Sequence, residues 1–367
     1  MKTTIRGLII VTGSLLAACN NNVNMTTTLN SDGSLNRVST AAVDEKFIQG
    51  DTADHPFIMD LTGWDIQWKY KGEEIRTDWP VTGWKKDPQD SMEVITAIAR
   101  KHYNTVQHLA DSFQIKSSHA WRDITMKPAL EKRFRFFYTY YNFKESFSKL
   151  PITFAIPVTR YLSAEEAGYW LTGKPDILKG MNGVEANDIL NSIEEKAGKW
   201  LLHNLFEMQY SELIRHLELI ANHPSKTIME AQKDSVFALY YARHAKELTK
   251  SDLMPILDKS FNTQAFGNFA KSGNDSLVQQ IIEPEAFERL STYFNASIDY
   301  KLVMPGDIVE SDGILSNDTL TWKIDTYRLL NANYTIAASS KKTNRWAFLA
   351  TAFIVLGAMI LYAVKRK

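Results

Sequence analysis

The chain has 367 residues, with 42 Lys and Arg against 42 Asp and Glu, so its formal net charge is zero. That balance argues against nucleic acid or a generic anionic ligand as a partner. The single cysteine excludes an intramolecular disulfide and an all-cysteine metal site.

The N-terminus opens with Lys2 and Arg6, then an apolar stretch from Gly7 to Leu16 and the small residues Ala17 and Ala18. This is the charged, apolar, small-residue order of a secretory signal. The quartet Leu16-Ala17-Ala18-Cys19 resembles the lipobox of bacterial lipoproteins. The resemblance implies that residues 1–18 are a lipoprotein signal peptide and that Cys19 is the lipid attachment site, a diacylated thiol carrying palmitate-type chains. Residues 19–24 then read as a lipidated, asparagine-rich tether. The competing reading is an ordinary signal peptide with an incidental cysteine.

Residues 25–159 read as the first part of a β-rich α+β domain. Met25 to Leu29 and Leu35 to Thr40 flank Asn30-Ser31-Asp32-Gly33-Ser34, and Asp-Gly between alternating segments predicts a hairpin. Trp64, Ile66, Trp68 and Tyr70 alternate with polar residues and predict one face of a strand. From Asp90 to Phe113 the spacing of Met92, Ile95, Ile98, Ala99, Tyr103, Val106 and Leu109 predicts a helix. The aromatic run that follows places Phe134, Phe136, Tyr138 and Tyr140 on one face of a presumed strand and Phe137, Tyr141 and Phe143 on the other. Such a strand is expected to be central and covered on both sides. The alternative is an aromatic surface for lipid or a partner protein.

Residues 160–295 read as a helical insertion. Ser163 and Glu166 form a capping box ahead of Tyr169, Trp170 and Leu171. A long helix is predicted from Val184 to about Asn222, closed by Pro224, and shorter ones over 228–248, 252–261, 277–282 and 285–294.

The β pattern returns over 296–340 as the second part of the β-rich domain. Met304-Pro305-Gly306, Ser311-Asp312-Gly313 and Ser316-Asn317-Asp318 read as turns, and Leu320, Trp322 and Ile324 alternate after them. Pairing these strands with the N-terminal ones predicts a single domain from which both anchors leave at neighbouring points. Trp346 to Val364 then runs nineteen residues without a charge, enough to cross a hydrocarbon core of roughly 30 Å as a transmembrane helix. Residues 365–367 would be a cytoplasmic tail. Lys341, Lys342 and Arg345 before the span balance Lys365, Arg366 and Lys367 after it, so the signal peptide, not flanking charge, sets the orientation. The expectation is a body in the periplasm held at the bacterial inner membrane.

The stretch Leu302-Val303-Met304-Pro305-Gly306-Asp307-Ile308-Val309-Glu310-Ser311-Asp312-Gly313, followed by Asn317 to Ile324 and an apolar helix, resembles the C-terminal portion of LppM-type bacterial envelope proteins. The whole chain also looks like membrane lipoproteins of Bacteroidetes-type bacteria. The resemblance implies an exported domain that engages lipids or envelope components, and it assigns no functional residue.

Catalytic signatures are absent: the sequence holds no G-x-S-x-G, H-E-x-x-H, Walker or dinucleotide motif. His203 with Glu207 and Glu212 with His216 each stand at i,i+4, which offers two metal ligands per face, but an exposed polar helix face supplies such pairs by chance. Glu194 and Glu195 read as a solvated face. Catalytic, cofactor-binding and metal residues are therefore assigned to none. The expected function is non-enzymatic: a binding or scaffold module for a lipid or envelope-protein partner. The alternative is an envelope hydrolase without a linear motif.

Overall fold

The computed structural model describes residues 21–71, 73–90, 93–173, 176–244, 253–294 and 296–366. The predicted signal peptide and Cys19 lie outside the described residues. The chain is mixed α+β and forms two compact units, one of residues 151–295 and one of 21–150 with 296–367.

The second unit begins with β1 (Asn21–Leu29) and β2 (Leu35–Val43), an antiparallel hairpin. Its turn closes through Asn30 N–H donating to Ser34 O at 2.8 Å, while the Asp32 carboxylate accepts from the Ser34 amide and hydroxyl. Residues 21–24 belong to the stretch 19–24 expected to be a tether. They are strand instead, because β1 pairs in parallel with a strand from the far end of the chain that begins at Ala296.

Next come α1 (Glu45–Ile48), β3 (Asp65–Lys69), β4 (Ile95–Tyr103) and α2 (Val106–Ser112). The helix expected over 90–113 is therefore a strand followed by two turns of helix. Strand β4 lies between β2 and β3 and buries side chains on both faces, so Ile95, Ala97, Ile98 and Ala99 are all buried. A strand apolar on both faces presents residues at three- and four-residue spacing and mimics a helix. The helix starts only where the Thr105 hydroxyl accepts from the His108 amide.

Strands β5 (Met126–Arg135) and β6 (Tyr138–Phe147) form a second hairpin. The aromatic run is thus two strands with a turn at Phe136 and Phe137. Only one face of β6 is fully covered, through Thr139, Tyr141, Phe143, Glu145 and Phe147.

The other unit holds α3 (Ala164–Thr172), α4 (Gly183–Arg215), α5 (Lys226–His244), α6 (Leu253–Phe261), α7 (Ala265–Lys271), α8 (Asp275–Ile282) and α9 (Glu285–Phe294). The capping box of α3 is present, with Ser163 Oγ accepting from Glu166 N–H and the Glu166 carboxylate accepting from Ser163 N–H. Helix α4 ends at Arg215, short of Asn222, because Leu217 and Ile220 turn into the core through a short 3₁₀ segment. The core packs Phe206, Tyr210 and Leu213 of α4 against Val236 and Tyr240 of α5, Leu257 of α6 and Phe266 of α7.

The β-rich unit resumes with β7 (Ala296–Val303), β8 (Asp307–Ser311), β9 (Ile314–Ser316), β10 (Thr319–Asp325), α10 (Thr326–Leu329), β11 (Tyr334–Thr343) and α11 (Arg345–Lys365). One sheet runs β3-β4-β2-β1-β7-β10-β9, the other β5-β6-β11-β8. Gly306, in the β7–β8 turn, has φ +82° and lies against the Lys341 backbone, where a Cβ would collide.

The two sheets face each other through Arg37 of β2 and Glu145 of β6, and Thr27 of β1 pairs with Arg37 while Ile336 of β11 pairs with Glu145. Strands β1 and β11 run the same way, since Lys342 near the end of β11 bonds Ser31 just past the end of β1. Asn21 and Asn344 consequently stand at opposite ends of the unit, separated by about 40 Å at roughly 3.3 Å per strand residue. The expected neighbouring anchor points involve Cys19, which lies outside the described residues; the strand polarity places Asn21 at the end of the unit far from Asn344.

Candidate functional site

Helix α11 is long and apolar enough to cross a membrane, and hardly any of it is buried against the rest of the protein. The apolar side chains of Leu349, Phe353, Ile354, Leu361 and Val364 are largely exposed. Its length and apolarity match those of a membrane span.

The helix joins the sheet through one residue. Asn344 links β11 to α11, and its side chain is held by the β5–β6 turn: Nδ2 donates to Arg135 O at 3.0 Å and Phe136 O at 3.1 Å, and Oδ1 accepts from Thr139 Oγ1 at 3.0 Å. Its amide donates to Phe137 O at 2.8 Å. The turn in exchange stacks on the first turns of α11, with Phe134 parallel to Trp346 at 6.3 Å and Phe137 against Phe348 at 4.8 Å. The sheet and the start of α11 are thus one hydrogen-bonded and ring-packed joint.

In the helical unit a cleft of about 380 Å³ opens between α4 and the start of α9, lined among others by Asn204, Glu207, Glu212, Arg215, Glu285 and Arg289. Of the i,i+4 pairs read from the sequence, the carboxylates Glu207 and Glu212 line this cleft, and the helix face that carries them is not an exposed one: His203, Glu207 and Glu212 are all buried. Each carboxylate is already engaged. Glu207 accepts from Lys233 at 2.9 Å and faces His203 at 3.6 Å. Glu212 meets Arg215 at 2.7 Å, His216 at 3.0 Å and Gln280 at 3.0 Å. Burial holds His203 below its ordinary value, only partly offset by Glu207, so it is neutral at pH 7; its Nδ1 shares a hydrogen bond with the Tyr161 hydroxyl at 2.7 Å and its ring stacks on Phe237 at 3.8 Å. Among the described residues no three His, Cys, Asp or Glu side chains converge as a metal set. Glu194 is half-buried and Glu195 exposed on the N-terminal half of α4.

Sequence reasoning missed the third cluster, buried between the two sheets. Arg37 Nη2 contacts both Glu145 oxygens, at 2.7 and 3.0 Å. Tyr300 donates to Glu145 Oε2 at 2.6 Å, and Arg37 Nε donates to Thr27 Oγ1 at 3.1 Å. Burial opposes the guanidinium charge, but Glu145 and Tyr300 outweigh it and hold Arg37 above its ordinary value. Burial and the Glu145 charge also push the Tyr300 phenol up. The cluster is closed to solvent and works as a structural rivet.

Comparison with protein-family models, with curated proteins and with solved structures finds no match to this chain.

Proposed function

We propose that the protein is a membrane-anchored envelope lipoprotein that acts as a non-enzymatic binding or scaffold module. Helix α11 is its transmembrane anchor, Cys19 its lipid attachment site, and its body faces the periplasm from the inner membrane. The exposed, uncharged length of α11 is the main support for this reading. The joint at Asn344 adds to it, since a free tail has no need of four hydrogen bonds to the sheet that carries it. The cleft favours binding over hydrolysis, because its buried carboxylates are tied to cationic or amide partners and none is left as a free acid or base.

The partner would be a lipid or an envelope protein recognised by the β-rich unit or the helical unit. Extraction with alkaline carbonate and protease digestion of spheroplasts test the placement. The protein should stay in the membrane pellet while its body is digested. Release by carbonate, or protection of the body together with a cytoplasmic control, would overturn the proposal.

A further inference from the structure

The β5–β6 turn is occupied by Phe136 and Phe137, where a hairpin of this length ordinarily carries Asn, Asp or Gly. Phe134, Phe136 and Phe137 remain 60%, 44% and 36% exposed even though they pack against α11. A water-facing turn gains nothing from three such rings. They are continuous with Trp346, itself 54% exposed, which begins the apolar helix. Trp and Phe rings grouped at the start of a span are what the boundary between headgroups and acyl chains accommodates best.

Charge completes the pattern. Arg135 and Arg345 flank the rings, both exposed, and neither has an ion-pair partner among the described residues. By contrast Arg133 is spent on Glu131 at 2.6 Å, and Lys341 lies over the Tyr138 ring at 5.1 Å. Two unpaired guanidinium groups beside an apolar tip match a surface that is apolar inside and anionic outside.

We propose that the β5–β6 turn is a second membrane-contacting element, which enters the lipid interface beside the first turns of α11 and places Arg135 and Arg345 against anionic headgroups. This inference rests on the reading of α11 as a span. The Asn344 joint supplies the geometry, because it ties the turn to the point at which the helix enters the bilayer. The β-rich unit then meets the membrane with a fixed face and does not swing on a tether.

The test uses the full chain with Cys19→Ser, reconstituted in vesicles of phosphatidylcholine and phosphatidylglycerol, with a nitroxide on one introduced cysteine at a time. Phe136→Cys reports the turn, Phe353→Cys the middle of α11, and Ala332→Cys an exposed loop at the opposite end of the unit. Circular dichroism checks that each variant is folded. Collision with a water-soluble nickel reagent should fall several-fold at position 136 relative to 332, with position 353 more protected still. Protection at 353 with full access at 136 would overturn the inference and leave the anchor standing, whereas access at 353 would remove both. Protection at 136 should also be greater with phosphatidylglycerol than in phosphatidylcholine alone, and equal protection in the two would overturn the headgroup assignment.

Discussion

Arg37 Nη2 lies 2.7 Å from Glu145 Oε2 with both side chains closed to solvent, and this contact crosses from the seven-stranded to the four-stranded sheet. Residues far apart in the chain thereby fix which faces of the two sheets meet. The guanidinium also stacks over the Phe113 ring at 5.1 Å, which covers part of a cation whose Nη1 has no hydrogen-bond partner among the described residues.

Breaking that pair from one side leaves a buried charge. Glu145→Ala is expected to cost about 3–5 kcal/mol in urea denaturation, because Arg37 then has no counter-charge. The double variant Arg37→Met with Glu145→Leu should cost markedly less, as neither charge remains. A double variant as unstable as the single one would show that packing, not charge, dominates the site.

Acid should weaken the β-rich unit through two histidines. Burial, with Lys116 adding to it, lowers His55 and His119 from 6.5 to about 4. Both are therefore neutral when folded and take up protons on unfolding once the pH falls below about 6.5. Stability is complete above that pH and declines by about 1.4 kcal/mol per pH unit per histidine until about pH 4. His55→Phe, placed among the rings of Phe47 and Phe57, should flatten the decline measured from urea midpoints between about pH 7 and pH 5. An unchanged slope would remove His55 from the account.

Removing the clamp at the joint should act locally. Asn344→Ala deletes three side-chain hydrogen bonds to the β5–β6 turn. A loss of about 1–2 kcal/mol is expected. Hydrogen exchange should speed up in the β5–β6 turn and stay unchanged in β1; uniform acceleration across the unit would argue for a global role.

Acylation is directly readable by mass. The mature chain should begin at Cys19 and carry the mass of a diacylglyceryl group, and Cys19→Ser should abolish that addition. An unmodified Cys19 behind an intact N-terminal segment would sink the lipoprotein reading.

Local signals were the legible part of the sequence. Ser163 and Glu166 announced α3, the Asp32-Gly33 turn announced the first hairpin, and Leu320, Trp322 and Ile324 alternate as written because β10 buries one side row. Two elements misled. Residues 95–103 look helical because β4 is covered on both faces, and 134–143 look like one strand because rings, not turn formers, occupy the reversal. The Arg37–Glu145 pair leaves no linear trace, since its partners meet only when the sheets face each other. The engaged state of Glu207 and Glu212 was equally hidden, because Lys233 and Gln280 arrive from other helices.

The polarity of β1 has a mechanical meaning. Cys19 precedes Asn21 by only two residues, and Asn21 stands about 40 Å along the strand direction from Asn344. With the joint at Asn344 holding the strands to the first turn of α11, the β-rich unit is gripped at one end of its strands and works as a lever whose long arm runs toward Asn21. A load applied at the Asn21 end acts on that joint through the whole length of the unit, so the four hydrogen bonds of Asn344 sit where the leverage is greatest.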